Sequence, residues 1–156
     1  GHRAVCFLTE KSRRAGDQQS EEGFQKPFRQ PPFDTATSII AHHDGTVRGL
    51  RTTLDRVLRF SQPPTAFLVA DCRCVLTTMG ILLEKGRRLG HDIALVSRDD
   101  DAFLKSVVPS VARYVFDPTL VARKLSHLVV QLAQGKLLSP RAVRIVPDFL
   151  RGDTFP

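Results

Sequence analysis

The sequence lacks any apolar run near the roughly 18 to 20 residues that a membrane-crossing helix needs, so no membrane span is expected. Cysteine is scarce. Cys6, Cys72 and Cys74 make an odd set, and no second pair completes a zinc pattern around Cys72 and Cys74. Thiols in a reducing compartment are the plain reading. Neither a Walker loop nor a dinucleotide glycine motif occurs. The opening "GHRAVCFLTE" holds too short an apolar stretch for a secretion signal and no small-residue cleavage pattern. A cytoplasmic protein is therefore expected. Bases outnumber acids, for a net charge of +7, yet no run of about five or six bases occurs, nor a basic stretch interleaved with aromatics. Arg48, Arg51, Arg56 and Arg59 fall mostly opposite Val47, Leu50, Leu54, Val57 and Leu58. That is the solvated face of an amphipathic helix rather than a nucleic-acid contact. His42 and His43 precede Asp44, but adjacent histidines in an extended segment point to opposite faces. No metal and no cofactor are expected.

What is present is a regular alternation within 156 residues, a length that suits one domain with a real core. Short apolar runs at 4–8, 37–41, 65–70, 92–97, 112–116 and 142–146 read as strands. Between them lie helical patterns: a weak one over 18–28 that Pro27 ends or kinks, then 44–60, 72–86, 102–107 and 117–134. Asp44 or Thr46 caps the second, and Gly86 and Gly135 end the third and last. Val121, Leu125, Leu128 and Leu132 mark the apolar face of the last helix, and the tail "PDFLRGDTFP" reads as irregular. Strands alternating with helices predict an α/β class, a doubly wound parallel sheet covered on both sides. In such sheets ligands sit outside the carboxyl ends of the strands, where Asp71 follows the third strand and Asp99 the fourth. Asp99, Asp100 and Asp101 cluster there without a packing reason. A phosphoryl or magnesium site would need a lysine and a hydroxyl converging on the acids, and no such set stands out, so no enzyme is expected.

Several pieces, in order, resemble the ligand-binding core of lactose/galactose-repressor-type transcription regulators. "GHRAVCFL" is similar to the family's entry strand, "EEGFQKPF" to its "GF" helix, and "PPTAFLVAD" to its "PTA" strand. "GILLEKGRRLGHDIALVSRDD" resembles its helix, glycine turn, "DI" strand and terminal acids. "VVPSVARYVFDP" and "VPDFLRGDT" are similar to its proline-led strand and closing signature. The resemblance implies a periplasmic-binding-protein-like fold, of which residues 1–156 cover the second, C-terminal lobe only. It further implies a homodimer, a small sugar-like effector held between two lobes, and operator DNA bound only through a headpiece that these residues do not include. A lobe alone is expected to bind effector weakly and operator not at all. The alternative is a lobe of a periplasmic sugar-binding transport protein.

Residue by residue, the resemblance makes Asp99 an acceptor for effector hydroxyls, with a helix cap as the plainer alternative and Asp101 the better cap. Asp100 is read as supporting the helix dipole. Asp71 falls on the first place of the family's Asn-Asp pair, broken here by Cys72, and reads equally as a ligand contact or a cap. Phe116 stands where some members place a polar cleft residue. Ser20 replaces the family's clamping arginine, while Ser97 and Arg98 replace a glycine and an aromatic before the acid. Arg98 is expected to restore the charge lost at Ser20, favouring an acidic or phosphorylated sugar. His43 is a further cleft candidate, against an ordinary turn role. The dimer contact implied by the resemblance takes Leu76, Met79 and Leu83 with Phe103, although the stripe Val75, Leu76, Met79, Leu83 suits core packing first.

Overall fold

The computed structural model describes residues 1–11, 15–137 and 143–156. Five strands, β1 (Ala4–Glu10), β2 (Thr37–His43), β3 (Ala66–Val69), β4 (Ala94–Ser97) and β5 (Ala112–Val115), pair in parallel, and β6 (Asp148–Leu150) closes the edge antiparallel to β5. The order β2-β1-β3-β4-β5-β6 is that of a doubly wound sheet. Helices α1 (Ala15–Gln25), α2 (Val47–Leu58), α3 (Val75–Glu84) and α4 (Pro118–Ala133) fill the connections.

Alternation along the strands divides the chemistry between two faces. Cys6 and Leu8 of β1 join Phe67, Val69 and Leu95 against Leu50, Leu54 and Val57 of α2 and Val75, Met79 and Leu82 of α3, forming the main core. Phe7, which lies between Cys6 and Leu8, points the other way and stacks on Phe24 of α1, which meets Phe28 beyond. Burial in the main core holds the Cys6 thiol up at about 12, so it stays protonated and inert. Thr46 caps α2 by accepting from Gly49 N at 2.9 Å, and Asp44 in turn accepts from Thr46 N and Oγ1 at 2.9 and 2.7 Å.

Three expectations are corrected. Val143 to Val146 are not a strand (residue 142 lies outside the described residues); the last strand lies later, in the tail read as irregular. It also pairs with β5 antiparallel, where a parallel strand was expected. Met79, a candidate for the dimer contact, is only 4% exposed and packs in the core. The apolar face of α4 is not covered: the helix buries no residue, and Leu125, Val129, Val130 and Leu132 remain exposed.

The tail "RGDT" anchors the sheet. β4 and β5 pair directly only at Val96–Ala112 and Ser97–Arg113, and Thr154 fills the gap at their amino ends. Its carbonyl accepts from Leu95 N at 2.8 Å and its N–H donates to Ser110 O at 3.1 Å. Its hydroxyl donates to Leu95 O at 2.7 Å and accepts from Ala112 N at 3.0 Å. The approach is so close that a Cβ on Gly90 would stand 2.0 Å from Asp153 O, and one on Gly152 would stand 2.6 Å from Ala112 N. Both positions require glycine.

A second tie starts from the next residue of β5. Arg113 is buried, its Nε donating to Asp100 Oδ1 at 2.6 Å and its Nη1 to Val111 O at 3.0 Å. Asp100 therefore neutralises a buried guanidinium instead of supporting a helix dipole. Removing it would leave that charge uncompensated, at a cost of about 3 kcal/mol.

Thr154→Val, which keeps the shape and deletes the hydroxyl, removes the side-chain bonds to Leu95 O and from Ala112 N. We expect a loss of about 2–4 kcal/mol, against about 1 kcal/mol for Thr154→Ser, which loses only a methyl. Urea midpoints at unchanged m-value measure both, and equal midpoints for the two variants would contradict the anchoring role.

Candidate functional site

In this strand order the crevice outside the carboxyl ends is the natural ligand position. β3 and β4 run side by side with Val69 opposite Ser97, so Asp71 and Asp99 emerge at matching positions on neighbouring strands. Cavities among the described residues line the rim around them, and three of them take up the candidate residues.

The cavity that gathers most candidates, about 550 Å³, is lined by Gly16, Asp17 and Ser20 of α1, Arg98 and Asp99 after β4, and Tyr114, Phe116 and Pro147. Local chemistry sets each side chain. Ser97 is buried and its hydroxyl donates to Asp99 O at 2.6 Å, turning the chain sharply where β4 ends. That turn lets Arg98 lie along its neighbour: Nε donates to Asp99 Oδ1 at 3.2 Å and Nη2 to Asp99 Oδ2 at 3.4 Å. The remaining arm, Nη1, reaches Ser20 Oγ at 3.3 Å, across 78 residues of sequence. Ser20 itself donates to Gly16 O at 2.9 Å. Asp101 accepts from Phe103 N at 3.3 Å and caps the short 3₁₀ helix Ala102–Ser106, which leaves Asp99 free for the cavity.

Tyr114 and Phe116 stand two residues apart and so share one side of the strand and its continuation. Tyr114 also packs on Phe149 of β6, which meets Phe155 beyond it. Phe116 is half-exposed over the cavity. Asp17 and Tyr114 were not among the sequence candidates. The only signal for Tyr114 was its two-residue spacing from Phe116, and Asp17 had none, because its place depends on how α1 sits over the sheet.

Asp71 lines a neighbouring cavity of about 490 Å³ with Glu10, Asp44, Thr46, Arg73 and Thr77. It caps the turn Cys72–Cys74, accepting from Arg73 N at 2.9 Å, and its carboxylate is gripped by the Arg73 guanidinium. That grip, more than Arg98 nearby, holds the Asp71 carboxyl below the usual aspartate range. His43 lines a third cavity, of about 400 Å³. It is buried, and its Nδ1 accepts from Gly45 N at 3.1 Å, which is the turn role; burial pushes its pKa down, so the neutral ring dominates. The structure therefore brings Ser20, Arg98, Asp99 and Phe116 together, and sets Asp71 and His43 apart from them.

On the opposite side of the main core, Leu76, Leu83 and Phe103 are 46%, 51% and 36% exposed. Leu76 and Leu83 are two turns apart on α3, while Met79 between them points inward. A Cβ at Gly80, between the two leucines, would meet nothing within 4 Å.

No helix among the described residues is long and apolar enough to cross a membrane. The chain matches the periplasmic binding protein-like domain family over residues 1–155. It is 30% identical over 100 residues, 62% of its length, to the lactose operon repressor of Escherichia coli, of which it covers 28%. It is 22% identical over 150 residues to the HTH-type transcriptional regulator CelR of Thermobifida fusca, covering 94% of this chain and 42% of that one. Among solved structures, a LacI family transcriptional regulator from Bifidobacterium animalis superposes with a TM-score of 0.85 at 15% identity, over 99% of this chain and 56% of the other. The chain thus spans less than half the length of these curated relatives, a repressor and a transcriptional regulator. With the sheet order and a match along nearly its entire length, the chain belongs to the periplasmic binding protein-like domain family.

Proposed function

We propose that this chain is the C-terminal effector-sensing and dimerisation lobe of a LacI-type transcription regulator. The observation that carries the proposal is the cavity at the carboxyl ends of β4 and β5, where side chains from α1, β4 and β5 converge on one small volume. A carboxylate with free lone pairs, a guanidinium and two aromatic faces suit a small, hydroxyl-bearing effector such as a sugar. Catalysis would need a nucleophile or base aimed at a reacting atom, and the cavity instead offers groups that hold and orient.

The cavity is open on one side, and α4 beside it buries no residue. A further apolar hollow of about 600 Å³, lined by Phe116, Pro118, Val121, Ala122, Leu125 and Ile145, adjoins the same helix. Both suit a first lobe that covers α4 and supplies the opposite wall of an interlobe cleft. Effector binding would then draw the lobes together and shift the affinity of a DNA-binding headpiece for its operator. The regulatory reading is preferred to a transport protein because the curated relatives are regulators.

Leu76, Leu83 and Phe103 form the proposed dimer patch, with Gly80 allowing close approach of a second α3. An isologous contact would place this patch against its own copy.

In the full-length regulator, Asp99→Ala should weaken effector binding by about tenfold or more, the usual loss for a charge-assisted hydrogen bond. Operator affinity without effector should stay unchanged. Fluorescence anisotropy of labelled operator DNA, titrated with effector, reads both, and an unaltered effector response would refute the site. Leu83→Glu should raise the dimer dissociation constant by about tenfold or more while leaving the melting temperature nearly constant, because the side chain is half-exposed. Sedimentation identical to the parent would refute the patch.

A further inference from the structure

Arg98 reaches the place expected of it, donating to Ser20, yet its charge is not free. Two of its three nitrogens are spent on the two oxygens of Asp99. The described lining of the cavity holds two carboxylates, Asp17 and Asp99, against this one guanidinium. Asp71, on the adjoining strand end, is paired with Arg73, and that pair adds no net charge. Among the described residues the lining is therefore not that of an anion clamp.

What the pair leaves available is a matched set of donors and acceptors. An aspartate offers about four lone-pair sites and an arginine five N–H donors. The mutual contacts and the bond to Ser20 use only part of each. A neighbouring pair of hydroxyls on a ligand can donate to Asp99 and accept from Arg98 without separating the two. Phe116 and Tyr114 provide apolar surface for the C–H face of such a ligand. A phosphate or carboxylate would have to sit beside Asp99, or pull Arg98 away from it and leave Asp99 uncompensated.

Resting on the effector-binding reading, we infer that Arg98 and Asp99 act as one charge-compensated unit that selects neutral, hydroxyl-rich ligands and rejects their anionic counterparts. Arg98 is thus a specificity-determining residue for uncharged ligands, which replaces the expectation of an acidic or phosphorylated sugar.

The test is a titration of the chain, followed by amide chemical shifts at millimolar ligand, with a panel of neutral mono- and disaccharides and their 6-phosphates and uronates. The neutral member of at least one matched set should bind roughly tenfold or more tightly than its anionic partners. Asp99→Asn, which frees Arg98 at a half-exposed position, should invert that order for the same set. Tighter binding of the phosphate or uronate by the parent protein overturns the inference and leaves the effector site standing. Equal affinity across a set, or an Asp99→Asn variant with unchanged preference, also overturns it. If no member of the panel perturbs Ser20, Arg98, Asp99 or Phe116, the effector-binding reading falls with it.

Discussion

The turn at the carboxyl end of β4 decides what this fold can do. Five successive polar residues, Ser97 to Asp101, end the apolar strand, and each has a defined partner. The Ser97 hydroxyl folds the chain back on itself, Arg98 and Asp99 hold each other at the cavity, Asp100 neutralises buried Arg113, and Asp101 caps the turn that follows. A run of three acids at a strand end would repel itself and stay mobile if left alone. Here two of the three are committed to structure, so the remaining one is presented to the cavity in a fixed direction. Preorganisation of this kind lets a shallow site discriminate, since little ordering remains to be done when a ligand arrives.

Two successive residues of β5, Ala112 and Arg113, serve that turn. Thr154 bonds both β4 and β5 at their amino ends, through backbone and hydroxyl together, and Arg113, the next residue along, ties β5 to the loop after β4. The short direct ladder between β4 and β5 would otherwise be weak. Stability is concentrated on the α2–α3 face, where the main core lies, while the α1 face and α4 remain lightly packed. Such a division places the adaptable surfaces beside the cavity and the rigid ones behind it.

Much of this was legible in the sequence because it rests on local rules. Strand–helix alternation gave the class and sheet, Asp101 followed from capping preference, and the substitution pattern at Ser20 and Arg98 anticipated that these two residues meet. What escaped depends on distant partners. Asp100 could not be matched with Arg113, nor Thr154 with Leu95, because those contacts join segments 13 and 59 residues apart. Met79 shares its helical stripe with Leu76 and Leu83, and only the tilt of α3 on the sheet decides which of them is buried. The charge balance of the site also lay beyond reach, since a basic residue next to an acid reads the same whether the two are paired or apart.

The central claim is that the volume bounded by Ser20, Arg98, Asp99 and Phe116 is where a ligand sits. A crystal structure of the full-length regulator with its effector bound measures this directly. The account predicts ligand hydroxyls within hydrogen-bonding distance of Asp99 and Arg98, with a ligand face against Phe116. Effector density in the cavity beside Asp71 and Arg73, or in the one beside His43, with the Arg98–Asp99 pair untouched, would contradict it.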